Sequence, residues 1–151
     1  MIPKRILFCT DFSENSRAAQ QLAVEYAQAF SAELLILHVI NSSRIWYPSL
    51  EERIPVDIKE TLDRIQEAVE QALKLVCTEC ASLHMDVKTA SRIGIPAREI
   101  VRFALEESVE LIVTGTHGWT GFKHLVMGST AENVVRTATC PVVTVRSAVA
   151  T

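Results

Sequence analysis

Apolar positions follow two rhythms along the chain. "KRILFCT", "ELLILHVI", "ELIVTG" and "PVVTVR" are short, nearly continuous apolar runs. Runs of that length suit parallel strands buried on both faces. "MDVKTASRI" alternates instead, with Val87, Thr89 and Ser91 on one face, as in a less buried strand near a sheet edge. Between these runs the period is helical. Ala19, Leu22, Ala23, Tyr26, Ala27 and Phe30 form one stripe. From about Asp57 to Leu83 the stripe is Leu62, Ile65, Val69, Leu73, Val76 and Cys80. "PAREIVRFALEES" opens on Pro96, a favoured first helical residue, and its inner face reads Ile100, Val101, Ala104 and Leu105. A last helix is predicted from about Thr130 to Ala138.

The order is therefore β-α-β-α-β-α-β-α-β. Alternating strands and helices predict an α/β fold, a parallel sheet covered on both faces and joined by right-handed crossovers. Residues 41 to 56, "NSSRIWYPSLEERIPV", hold two prolines and mixed charge and read as a long surface loop. No internal repeat or low-complexity tract interrupts the pattern.

Length suits one domain, residues 1–151, and an apolar content of 48% argues against disorder. A net charge of −3 leaves no basic footprint for nucleic acid. Any phosphate contact must then come from local groups such as backbone N–H. No apolar run reaches the ~20 residues of a membrane span, and "MIPKRILFCTDFSE" lacks the apolar stretch of a leader, so a cytoplasmic protein is expected. Cys9, Cys77, Cys80 and Cys140 are too sparse for a disulfide scaffold.

Glycine changes the picture. Four of the five glycines fall in "VTGTHGWTGFKHLVMGSTAEN", residues 113–133; the fifth is Gly94. Glycine serves where a loop needs positive φ or where something must approach the main chain closely. The stretch reads Gly115-x2-Gly118-x9-Gly128-Ser129-Thr130, and Ser129 with Glu132 forms an S-x-x-E capping box. A helix N-terminus offers unpaired N–H groups and partial positive charge, a ready phosphate site. Two readings stand here: a phosphate cradle, or glycines that turn the chain and a serine that caps a helix. Neither G-x4-G-K-[ST] nor G-x-G-x-x-G is present.

In open α/β sheets ligands bind outside the carboxyl ends of the strands, where strand order reverses. Asp11 directly follows the first strand. Its carboxylate can accept from a ribose hydroxyl or a base amino group. Equally, Asp11 or Ser13 can cap the next helix, and the two roles can sit on different residues.

Taken together, these residues resemble the universal stress protein family. G-x2-G-x9-G-[ST] is that family's ATP-binding pattern, matched by Gly115, Gly118, Gly128 and Ser129. "ILFCTDFSENSRAAQQLAVEYA", "LLILHVI", "GIPAREIV", "LIVTGTHG" and "GSTAENVVRTATCPVVTV" follow in the family's order over essentially the whole chain. The resemblance implies a Rossmann-like five-stranded parallel sheet, order 3-2-1-4-5. It implies that Thr10 and Asp11 face adenine and ribose, and that Val39 contacts adenine. Gly115 and Gly118 would lie along the ribose and α-phosphate, and Gly128, Ser129 and Thr130 would hold the outer phosphates. ATP, ADP or AMP is the implied ligand, with Mg²⁺ or Mn²⁺ bridging the phosphates. Gly121 is an extra glycine in the segment between Gly118 and Gly128.

Phosphoryl transfer needs a positioned nucleophile, charge neutralisation and usually a protein-held metal. Asp11 is expected at the nucleoside end, and no acidic pair stands ready for a metal. The expectation is a non-enzymatic, nucleotide-binding regulatory protein with slow or no ATP hydrolysis. Lys123 and His124 can reach the phosphates or be solvated; His117 can bond a phosphate or pack the loop. His38, in an apolar strand, reads as a core or strand-end histidine. Cys77-x-x-Cys80 lies deep in a long helix, without a second pair for zinc and without the strand-to-helix setting of a thioredoxin site.

A receiver domain needs an Asp after the third strand, where "SRIGIP" has none. An ATP pyrophosphatase or nucleotidyl transferase needs a signature that "CTDFSENS" lacks. The surviving alternative is a dimeric interaction module with a weak or vestigial nucleotide site. The resemblance puts the last strand at a sheet edge, and an apolar edge is a pairing template. The family pairs it across a two-fold axis, which implies a homodimer through Val142, Val143, Thr144 and Val145.

Overall fold

A computed structural model describes residues 2–45, 58–81, 85–116 and 127–146. Five strands form one parallel sheet: β1 (Arg5–Cys9), β2 (Glu33–Asn41), β3 (Val87–Gly94), β4 (Leu111–Gly115) and β5 (Val142–Val145), in order β3-β2-β1-β4-β5. The 3-2-1-4-5 order is the expected one, with its reversal between β1 and β4. Among the described residues four helices connect the strands: α1 (Glu14–Phe30), α2 (Ile58–Ala81), α3 (Pro96–Glu106) and α4 (Ser129–Thr137).

The central strands are apolar on both faces because helices cover both. Ile6, Phe8, Leu34, Ile36 and Val113 point to the side packed by α1 and α2. Leu7, Leu35, Leu37 and Ile112 point to α3 and α4. Burial of each such side chain contributes about 1.5–3 kcal/mol. Helix α1 lies close to the sheet because its buried residues are all small: Ser16, Ala19, Ala23 and Ala27. Its expected stripe is too wide, since Phe30 at the helix end is 38% exposed. On α3 the buried residues are Ile100, Phe103 and Ala104, and Leu105, expected inside, is 57% exposed. The i, i+3, i+4 face centres on Ile100, and one further residue rotates past it.

Edge strands are half-covered. β3 is the less buried edge strand expected, but its exposure does not alternate: Val87 and Ser91 are half-buried and Thr89 is exposed. β5, read from sequence like the fully buried strands, is intermediate at all four positions because it pairs only with β4. The stretch expected to be one loop from 41 to 56 begins otherwise. Asn41 ends β2, and residues 42–45 form a helical turn; the remainder lies outside the described residues. Among the described residues no helix is long and apolar enough to cross a membrane.

Candidate functional site

β2 outruns its neighbour. Cys9, the last residue of β1, pairs with Leu37, and the Thr10 N–H donates to the Leu37 carbonyl at 3.0 Å. The chain then turns away, while β2 continues through His38, Val39 and Ile40 to Asn41, paired only with β3. On the other side of β1, strand β4 ends at Gly115. The divergence of chain between β1 and β4 opens a cavity of about 580 Å³ at the carboxyl ends of the strands.

Of the expected site residues, Thr10, Asp11, Val39, Gly115, Gly128, Ser129 and Thr130 all line this cavity. Gly118 lies outside the described residues, as do His117, Gly121, Lys123 and His124. The two ends of the glycine stretch meet at its base. The Gly128 N–H donates to the Thr116 carbonyl at 2.7 Å, and the Thr116 N–H donates to Val145 at 2.9 Å. Residues far apart in the stretch are thus brought side by side under the mouth of the cavity.

Helix α4 starts at this junction. Gly128, not Ser129, is its N-cap, and no side chain caps the helix. The expected capping box is therefore not formed, because Ser129 is already the first helical residue. The Glu132 N–H bonds the Gly128 carbonyl at 3.0 Å. The N–H groups of the first turn have no carbonyl one turn earlier to bond, and they belong to residues on the cavity wall. Gly128 has φ −62° and ψ 149°, a conformation open to any residue. The backbone at this position does not require a glycine.

Opposite, the β1–α1 turn is tightly bonded. Asp11 Oδ1 accepts the Ser13 N–H at 3.0 Å and the Ser13 hydroxyl at 2.6 Å. Ser13 is the N-cap residue of α1, but its hydroxyl is committed to Asp11, so it makes no side-chain cap bond. Of the two residues expected to compete for the capping role, Ser13 holds the position and Asp11 closes the turn. Asn41 repeats the motif one strand over, accepting the Ser43 N–H at 3.1 Å and hydroxyl at 2.7 Å.

Several cavity residues were not singled out as site residues from sequence: Ser16, Asn41, Arg44, Thr114 and Thr116. The threonines carried a signal, since hydroxyls at the end of an apolar strand are out of pattern. Arg44 did not, because its stretch reads as loop. His38 also lines the cavity. Burial pushes its imidazole below the usual histidine range, against the opposing pull of the Thr10 carbonyl and Asp11.

Burial acts on three of the cysteines in the opposite sense, favouring the neutral thiol. Burial pushes the Cys9 thiol far up, with Cys140 adding in the same direction, and burial also raises Cys80 and Cys140. All four are free thiols. Cys80, on α2, packs into the core. Among the described residues no three His, Cys, Asp or Glu side chains cluster so as to hold a metal ion.

The sequence profile of the Universal stress protein family matches residues 3–146. Universal stress protein YxiE of Bacillus subtilis is 34% identical over 146 residues, covering 94% of this chain and 98% of YxiE. The solved structure of the hypothetical protein MJ0577 superposes with a TM-score of 0.86 at 31% identity, covering 99% of this chain and all of that one. Two further solved structures share the fold at lower identity. One is a universal stress protein in complex with cAMP, TM-score 0.72 and 21% identity, covering 98% of this chain and 100% of its own. The other is the universal stress protein from Archaeoglobus fulgidus in complex with dAMP, TM-score 0.63 and 20% identity, with coverage of 97% and 100%.

Proposed function

This chain belongs to the universal stress protein family, and we propose that it is a nucleotide-binding regulatory member whose ligand is ATP, ADP or AMP. The observation that carries this reading is the cavity at the strand-order reversal, with Asp11 on one wall and the start of α4 on the other. A carboxylate suits ribose hydroxyls or a base amino group. A helix N-terminus beside a residue without a side chain suits phosphate oxygens. Val39 and Ile40 supply an apolar wall for a purine. Proteins of the same fold hold cAMP and dAMP, both adenine nucleotides.

Thr10 and Asp11 bind the nucleoside in this reading, Val39 contacts the base, Gly115 and Gly118 flank the ribose and α-phosphate, and Gly128, Ser129 and Thr130 bind the outer phosphates. A Mg²⁺ or Mn²⁺ ion would bridge the phosphates. Regulation then follows from binding, with slow or no hydrolysis. We further propose a cytoplasmic homodimer through the β5 edge, Val142 to Val145. Light scattering after size exclusion at micromolar concentration is expected to give twice the chain mass of 16.8 kDa.

A thermal-shift titration with ATP, ADP, AMP and GTP, with and without Mg²⁺, tests the nucleotide reading. A ligand at 100 times its Kd adds about 2.7 kcal/mol, which at this size raises Tm by roughly 5–10 °C. Adenine nucleotides should do this and GTP should not. No shift with any of them would favour the dimeric interaction module with a vestigial site.

A further inference from the structure

One residue of the β1–α1 turn is strained. Phe12 stands at φ 62°, where a bulky side chain costs about 1–3 kcal/mol. Ser31 and Ser108 also have positive φ, but both follow helix C-termini, where that conformation is common. Phe12 precedes a helix, so a different cause must hold it there.

The cause is His38. The Phe12 ring stacks on the imidazole with centroids 4.5 Å apart and planes at 26°. His38 Nδ1 lies 2.8 Å from the Thr10 carbonyl oxygen. A carbonyl only accepts, so Nδ1 carries the proton and donates. The imidazole therefore grips both neighbours of Asp11, Thr10 through its carbonyl and Phe12 through its ring. The Phe12 N–H closes the set by donating to Thr10 Oγ1 at 3.0 Å. His38 sits on the part of β2 that outruns β1, so the grip reaches the turn from an inner strand of the sheet.

We propose that His38 is a positioning residue of the nucleotide site: acting through Thr10 and Phe12, it holds Asp11 in the orientation that receives the ligand. This deepens the adenine-nucleotide reading and rests on it. A histidine that only filled space would not need a bond to the exit of the neighbouring strand, nor leave a phenylalanine at positive φ. Burial supports the role by keeping the ring neutral, so that no second charge competes with Asp11 at neutral pH.

The test compares His38→Leu, His38→Asn and Phe12→Gly in the full chain. AMP affinity is measured by calorimetry well below each variant's Tm, and amide exchange is measured by NMR without ligand. His38→Leu loses both the donor and the stack and should weaken AMP by about ten-fold or more, the worth of one hydrogen bond to a fixed group. His38→Asn restores an N–H donor near the Nδ1 position and should recover part of that loss. Phe12→Gly relieves the backbone strain but removes the stack. Its Tm should hold or rise while AMP binding weakens several-fold, a split that a purely packing role would not produce. In the apo protein the Phe12 and Ser13 amides should exchange faster in His38→Leu by more than the change in global stability accounts for. Wild-type affinity in both His38→Leu and Phe12→Gly overturns the proposal. If His38→Leu does not fold, Phe12→Gly decides. If the wild type binds no nucleotide, the nucleotide reading fails by itself. Exchange in Phe12→Gly and His38→Leu then decides the grip, and unchanged exchange at residue 12 and Ser13 in both overturns it.

Discussion

The two ends of the sheet are built on the same strands and finished in opposite ways. Where the strands begin, charges are paired. Glu33 sits between Arg5, at 2.6 Å, and Lys88, tying β1, β2 and β3 together. Arg5 also donates to the Glu107 carbonyl at 2.5 Å, and the Lys4 N–H donates to Glu110. Where the strands end, the cavity wall is made of hydroxyls, glycines and apolar side chains. Its charged groups among the described residues are Asp11 and Arg44. The first end pairs its charges and so contributes register and stability. The second leaves helix N–H groups and a volume unfilled, which makes it suited to a ligand and not to holding the fold.

That contrast can be broken most sharply at Gly128. A valine fits its backbone angles, so Gly128→Val should fold while filling ligand space. ATP affinity is expected to fall by more than about 100-fold, a change of roughly 2.7 kcal/mol. Gly118→Val is expected to act alike. Circular dichroism and calorimetry on the same samples check both halves, and wild-type ATP affinity in both variants would sink the proposed site.

Asp11→Ala should cost less, about ten-fold in AMP affinity, the scale of a lost hydrogen bond to a charged group. Since Asp11 also closes the turn with Ser13, a small drop in Tm should accompany it. Unchanged AMP affinity would confine Asp11 to the turn.

At the other end the expectation is reversed. Glu33→Gln should lower Tm by a few degrees, at about 2–4 °C per kcal/mol for a chain of this size, and leave AMP affinity alone. The Lys88 hydrogen bond, aided by Arg5 and opposed by burial, holds the Glu33 carboxyl below the usual carboxylate range. A lowered folded pKa means that this contribution is complete above the unfolded pKa near 4.3 and is lost as pH falls through the folded value. Acid unfolding of Glu33→Gln should therefore be less steep than wild type in that window. Equal steepness would show the pairs add nothing to stability. The smallest effect is expected from Cys80→Ser, which should leave AMP affinity unchanged despite its buried position, because Cys80 packs from α2 into the core, off the cavity wall.

Much of the fold was legible in the chain because it is local. Continuous apolar runs mark strands covered on both sides, and the β1, β2 and β4 cores match them. Pro96 marks the start of α3. The clustering of glycines in residues 113–133 pointed to the right end of the sheet for the cavity. Errors came where a neighbour decides. Phe30 and Leu105 look like core residues until the helix ends are placed against the sheet. Ser129 looks like a cap until the helix is seen to start one residue earlier. By its apolar run alone β5 reads like an inner strand; the edge position came only with the family's strand order, which the sheet follows.

By itself, then, the sequence determined the alternation of strands and helices, the apolar faces and the loops rich in turn and phosphate-binding chemistry. These follow from periodicity and backbone preference over a few residues. Tertiary structure decided how far β2 extends beyond β1, and that Thr116 and Gly128 join at the base of the glycine stretch. It also decided that a histidine from β2 holds the turn after β1. Those contacts join residues 12 to 28 positions apart. Their partners are chosen by register and packing, which no local pattern specifies.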